Sequence, residues 1–140
     1  MSEAVNSSHV LAGKHALVVD DDDDARRLLR NVLESVQMVV CEADCVDEAL
    51  SKLDARTFNL IVSDIGMPDR DGYSFMRTVR ERPDGGVVRT LALTSFAQIA
   101  DRALALDAGF DQHLGKPMRS DTLIPCLVSL LAQPSRVRKT

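Results

Sequence analysis

The chain has 140 residues and a net charge of −4 from 17 basic and 21 acidic side chains; the length suits one domain with its own core, and the mild acidity excludes a basic nucleic-acid-binding domain of the usual kind. Three cysteines, Cys41, Cys45 and Cys126, show neither disulfide nor zinc-site spacing and read as small buried hydrophobes in a reducing compartment, the cytoplasm. Residues 1–9 carry no apolar signal core, and no stretch approaches the roughly 18 apolar residues of a membrane span.

Short apolar runs alternate with helical stripes. Ala16, Leu17, Val18 and Val19 form the first run. Ala25, Leu28, Leu29, Val32, Leu33 and Val36 follow at the spacing of one helix face. Met38, Val39 and Val40 form a second run, and Val46, Ala49, Leu50 and Leu53 a second stripe. Leu60, Ile61 and Val62 lead to Ser63 and Asp64. A helix is expected over about 72–82, with Tyr73, Met76 and Val79 inward, broken by Pro83, Asp84, Gly85 and Gly86. Leu91, Ala92 and Leu93 end at Thr94. Ile99, Ala103 and Leu106 mark a fourth helix closed by Gly109. Residues 110–114 form a weaker fifth strand. Leu123, Ile124, Leu127, Val128 and Leu131 mark the last helix, where Pro125 is expected to delay or kink the first turn.

Five βα units imply an α/β fold with a parallel sheet covered on both faces. Right-handed crossovers then predict a doubly wound five-stranded parallel sheet in the flavodoxin-like order 2-1-3-4-5. Residues 1–13 read as a leader, 14–132 as the domain and 133–140 as a tail.

Ligands of such sheets bind outside the carboxyl ends of the strands. Strand 1 delivers Asp20 and Asp21 there, strand 3 Asp64, strand 4 Thr94 and Ser95, and strand 5 Lys116 before Pro117. Three mutually repelling carboxylates need a counter-charge, and an all-oxygen set suits Mg²⁺. Asp64 can act as a carboxylate nucleophile toward a phosphoryl group. Lys116 supplies a point charge and Thr94 a hydroxyl donor for the transferred oxygens. Asp23 and Asp24 favour the N-terminus of the first helix.

These motifs (Val18-Val19-Asp20-Asp21, Ser63-Asp64-Ile65-Gly66-Met67-Pro68 with Asp71-Gly72, Leu93-Thr94-Ser95 and Lys116-Pro117) resemble the receiver domains of two-component response regulators. The resemblance covers about residues 14–131. It implies that Asp64 accepts a phosphoryl group from a phosphohistidine on a histidine kinase or histidine phosphotransfer protein, as a phosphoacceptor and not as an enzyme. It implies Mg²⁺ held by Asp21, Asp64 and the backbone carbonyl of Gly66, with Asp20 acting through water. Lys116, Thr94 and the Ser95 amide then contact the phosphoryl group, and the Lys116–Pro117 peptide is often cis in such domains.

The resemblance also implies a switch. Thr94 moves toward the phosphoryl group, and the strand-5 residue at His113, more usually Tyr or Phe, turns inward; a simply packed strand residue is the alternative there. The face of helix 4, strand 5 and helix 5 would then meet a downstream protein or a second copy as a phosphorylation-dependent homodimer, with no direct nucleic-acid or membrane contact. Gly66 leaves room for an attacking water, whereas Phe96 shields the site. Leu11-Ala12-Gly13, residues 63–73 and residues 108–114 look most like receivers of hybrid histidine kinases, which implies either a module of a longer kinase or a free-standing relative.

Three rivals are weaker. A haloacid-dehalogenase-type phosphatase would use Asp20 and Asp22 with Thr94 and Lys116. However, only Asp121 remains for its late acidic pair, and Asp64 has no role. A flavin carrier needs a phosphate cradle where residues 20–24 place five aspartates. A pure interaction module has no use for Asp20, Asp21, Asp64, Thr94 and Lys116 together. Arg136, Arg138 and Lys139 read as a solvated tail.

Overall fold

The computed structural model describes residues 10–66, 72–83, 87–94, 99–116 and 119–132. Met67, Pro68, Asp71, residues 84–86, Ser95, Phe96, Pro117, the tail and residues 1–9 lie outside the described residues, as does the side chain of Ile99.

The elements alternate throughout: β1 (His15–Val19), α1 (Asp23–Ser35), β2 (Val39–Ala43), α2 (Val46–Ala55), β3 (Leu60–Asp64), α3 (Gly72–Glu81), β4 (Arg89–Thr94), α4 (Ile99–Ala108), β5 (Gln112–Gly115) and α5 (Ser120–Ala132). The five strands form one parallel sheet in the order β2-β1-β3-β4-β5, as the alternation predicts. Every residue of β3 and β4 is buried, which a strand covered by helices on both faces requires.

Two apolar layers sandwich the sheet. On one face Leu17, Val19, Ile61 and Ala92 pack with Val46 and Ala49 of α2, Phe75, Met76 and Val79 of α3, and Ala105 and Ala108 of α4. On the other, Val18, Leu60, Val62, Leu91 and Leu93 pack with Leu29 and Leu33 of α1 and Leu123, Leu127 and Leu130 of α5. Leu11 is fully buried in this second layer, so the apolar core reaches back into the segment read as a leader.

Several inward assignments change. Among the described side chains of α4 the buried positions are Ala105 and Ala108, while Ala103 and Leu106 are exposed. The small side chains of Ala105 and Ala108 make the core contact, and Leu104 and Leu106 are about half exposed. Leu28 is half exposed because the α1 stripe centres on Leu29 and Leu33. Met38 is buried ahead of β2, whereas Val39 begins this edge strand exposed. Phe75 joins Met76 and Val79 as a core residue of α3, and Tyr73 is only partly buried. β5 starts at Gln112 and Phe110 is buried before it. α5 runs unbroken from Ser120 through Pro125, which stands on its exposed side; the freed carbonyl of Asp121, four residues back, lies in an exposed turn where water reaches it.

At the amino end of β4 a partly buried network holds the loop before β5. Arg80 of α3 donates to the carbonyls of Gly109 (2.9 Å) and Val88 (2.8 Å), to the Thr90 hydroxyl (2.9 Å) and to Asp111 (3.2 Å). Asp111 in turn accepts from the Thr90 amide at 2.9 Å. Gly109 has φ +118, and a Cβ there would meet the Arg80 stem at 2.7 Å, so conformation and space both call for glycine.

The two faces of α1 give a direct test. Leu33→Ala is expected to lower the unfolding free energy by about 2–5 kcal/mol in urea titrations. Leu28→Ala should change it by about 0.5 kcal/mol or less. Equal losses at both positions would show that α1 docks on a different face.

Candidate functional site: an acidic pocket at the carboxyl edge of the sheet

β1 and β3 are neighbours, so their carboxyl ends bring Asp20 and Asp64 together. Both are buried, while Asp21 is exposed at the rim. One carboxylate oxygen from each of Asp20, Asp21 and Asp64 lies within 4.8 Å of the others. This is the cluster the strand-end reading anticipates.

The turn after β1 is built by its own aspartates. The Asp20 amide donates to the Ala43 carbonyl of β2 (3.1 Å), which continues the ladder one residue past the strand. The Asp22 amide then donates to Asp20 Oδ1 at 2.9 Å. Asp22 is the N-cap of α1 and accepts from the amides of Asp24 and Ala25. Asp23 and Asp24 occupy the first helical turn, where the helix dipole favours negative charge. Asp23 and Asp24 thus stand where the acidic run predicts, and Asp22 before them is the cap.

Lys116 follows β5, and its amide donates to the Thr94 carbonyl at 2.7 Å. Its ammonium donates to Asp20 Oδ2 at 3.1 Å and lies 3.3 Å from Asp64 Oδ1. One cation therefore joins the ends of β1 and β3 from across the sheet. Thr94 ends β4 one residue beyond Leu93, the register partner of Asp64, and is buried. His113 pairs in register with Ala92, so it belongs to the face of the sheet that α4 covers, and it is partly buried.

Burial sets the electrostatics. It pushes the Asp20 pKa above its ordinary value; the Asp22 amide and the Lys116 ammonium oppose this without cancelling it, and the Asp64 charge adds to it. Burial also works against the Lys116 ammonium, but the carboxylates of Asp20 and Asp64 outweigh it and hold the Lys116 pKa above the usual lysine value. Three carboxylates facing one ammonium leave negative charge in excess. A hard all-oxygen donor set with excess negative charge fits a small divalent cation such as Mg²⁺.

Two shaping residues lay outside the sequence reading's site. Gly72 begins α3, and its amide donates to the Ile65 carbonyl at 2.7 Å. A Cβ on Gly72 would stand 2.7 Å from the Asp64 carbonyl oxygen and 2.8 Å from Ile65 Cα, so α3 starts directly against the backbone of the β3 end. The Asp71-Gly72 pair in the sequence was the available signal. The second is Arg26, whose Nη1 donates to the Asp20 carbonyl at 2.7 Å. Gly66, by contrast, is exposed, and a Cβ there meets nothing within 4 Å.

A doubly wound parallel sheet with buried acid at its carboxyl edge, bridged by a strand-5 lysine, defines a signalling module of the receiver class. Residues 16–127 match the response regulator receiver domain, and the chain belongs to that family. It is 44% identical over 108 residues to an uncharacterized 14.6 kDa protein of Leptolyngbya boryana, covering 77% of this chain and 82% of that protein. It is 37% identical over 103 residues to the KDP operon transcriptional regulatory protein KdpE of Escherichia coli, covering 74% of this chain and 44% of KdpE. The chain thus spans less than half the length of that regulator. The receiver domain of the sensor histidine kinase PA1611 of Pseudomonas aeruginosa, solved with a magnesium ion coordinated in its active site cleft, superposes with a TM-score of 0.80 at 28% identity, over 87% of this chain and 100% of that one. Among the described residues, no helix is long and apolar enough to cross a membrane.

The glycines separate two kinds of space. Gly72→Ala is expected to cost about 1–3 kcal/mol because its new methyl meets backbone, whereas Gly66→Ala should stay within about 0.5 kcal/mol. Urea midpoints distinguish them, and a tolerated Gly72→Ala would mean that α3 shifts freely.

The raised Asp20 pKa carries a sign. The folded chain holds that proton more tightly than the unfolded chain, so ionising Asp20 costs stability as pH rises from 3.8 through the folded value. In chelator, Asp20→Asn should therefore be more stable than wild type at neutral pH, with the difference vanishing as pH falls below 3.8. A less stable variant at neutral pH would show that pairing with Lys116 outweighs burial.

Proposed function

We propose that this receiver domain is a phosphoacceptor switch and that Asp64 takes a phosphoryl group from a phosphohistidine on a histidine kinase or histidine phosphotransfer protein. The observation that carries this reading is the bridging ammonium of Lys116, 3.1 Å from Asp20 and 3.3 Å from Asp64, at the end of β3. A carboxylate oxygen of Asp64 attacks phosphorus, the P–N bond to the donor histidine breaks as the P–O bond forms, and the imidazole leaves with the nitrogen electron pair.

Asp21, Asp64 and the Gly66 carbonyl would hold Mg²⁺, with Asp20 acting through water, and the bound ion would supply positive charge for the phosphoryl oxygens. Lys116 holds Asp64 in place beforehand and offers its charge to the transferred group. Thr94, at the end of the adjacent strand, supplies a hydroxyl donor. Attraction of Thr94 toward the new phosphoryl group biases β4, and His113 on β5 shares the face covered by α4. That coupling carries the change to a protein-binding surface formed by α4, β5 and α5.

The domain works in the cytoplasm within a two-component relay. Its likeness to the PA1611 receiver supports a place in a hybrid histidine kinase, and its likeness to KdpE supports a place in a transcriptional regulator. The output passes to another protein or to a second copy of the chain.

Incubation with a small-molecule phosphodonor and Mg²⁺, followed by intact-mass measurement, tests the chemistry. One added phosphoryl group is expected in wild type, none in Asp64→Asn and none in chelator. Equal modification of Asp64→Asn would move the acceptor elsewhere.

A further inference from the structure

Asp20 is held at all four of its polar groups. Its amide donates to Ala43, Oδ1 accepts from the Asp22 amide, Oδ2 accepts from Lys116, and its carbonyl accepts from Arg26 Nη1 at 2.7 Å. The first three contacts follow from the ladder, the turn and the site itself. The fourth comes from an α1 side chain that phosphoryl chemistry does not call for.

Arg26 is itself aimed. Its Nε donates to Glu42 Oε1 of β2 at 2.9 Å, and its Nη2 donates to Asp23 Oδ1 at 2.6 Å. The Arg26 side chain is only 16% exposed. Glu42 also accepts from Arg30, one turn further along α1, and the Glu42 backbone carbonyl accepts from Lys52 of α2, so the residue that aims Arg26 is held by side chains from both helices. All three guanidinium nitrogens are in use, in three directions, which a lysine cannot reproduce.

We infer that Arg26, aimed by Glu42, is a positioning residue for the cation site: it fixes the Asp20 carbonyl and thereby the direction in which the Asp20–Asp21 turn presents its carboxylates. The inference rests on the reading of Asp20, Asp21 and Asp64 as a divalent-cation site. Two physical effects of Arg26 oppose each other there. Its positive charge repels a divalent cation, so losing charge alone tightens binding. Its fork holds the turn, so losing geometry weakens binding.

Calorimetric titration of Mg²⁺ into the metal-free full chain separates them, with urea melts alongside. Arg26→Lys and Arg26→Gln are each expected to weaken Mg²⁺ by about 10-fold, the low end for loss of a residue that orients a metal ligand. Glu42→Gln should weaken it too, and adding Glu42→Gln to Arg26→Gln should cost nothing more, because both act through one contact. Tighter or unchanged binding in Arg26→Gln overturns the inference. So does wild-type affinity in Arg26→Lys, which would leave only a charge effect. Should Arg26→Gln not fold, Glu42→Gln alone decides: weakened binding supports the inference and unchanged binding overturns it. A wild-type chain that binds no Mg²⁺ overturns the cation-site reading itself, and the inference with it.

Discussion

The site depends on one constraint: carboxylates buried at the end of a sheet repel one another and must be met by positive charge. Lys116 meets them from β5, two strands away from the end of β3 and three from β1. β3 and β4 lie between the two ends of the bridge, and Lys116 stands one residue past the end of β5, with its amide on the Thr94 carbonyl at the end of β4. The bridge makes the carboxyl edge of the sheet a single electrostatic unit. The Asp22 turn, the Arg26 contact and the start of α3 at Gly72 all set the backbone around that unit.

The two ends of the sheet differ in how their buried charge is treated. At the amino end of β4, Arg80 and Asp111 are paired and surrounded by carbonyl, amide and hydroxyl partners. Such an arrangement ties α3, β4 and the loop before β5 together. At the carboxyl end the anions outnumber the cation, and burial raises the pKa of Asp20. Excess buried charge lowers stability, and a ligand that supplies the missing charge recovers it. Charge is thus matched at the amino end of β4, whereas at the carboxyl end three carboxylates share one ammonium.

Much of this was legible along the chain. β3 and β4 are buried on both faces, so their continuous apolar runs stand out, and the residues that end them, Asp64 and Thr94, are easily placed. Asp20, Asp64 and Lys116 converge as the strand order requires. Helix faces were less legible where an apolar residue can lie on a flank: Leu28, Leu104 and Leu106 are hydrophobic and about half exposed. Ala105 and Ala108 carry the α4 contact with the core, and small residues give a weak periodic signal. Leu11 reads as leader because a single leucine has no period to reveal its burial.

The sequence by itself determined the class of fold, the order of its strands and the residues gathered at the carboxyl edge. These follow from local apolar pattern and from the handedness of βα crossovers, which need no knowledge of distant contacts. Only the tertiary structure decided which carboxylate Lys116 donates to, that Gly72 abuts the backbone of Asp64, and that Arg26 joins Glu42 to the Asp20 carbonyl. Those contacts join residues on different elements through side-chain reach and backbone approach, and no periodicity along one element encodes them.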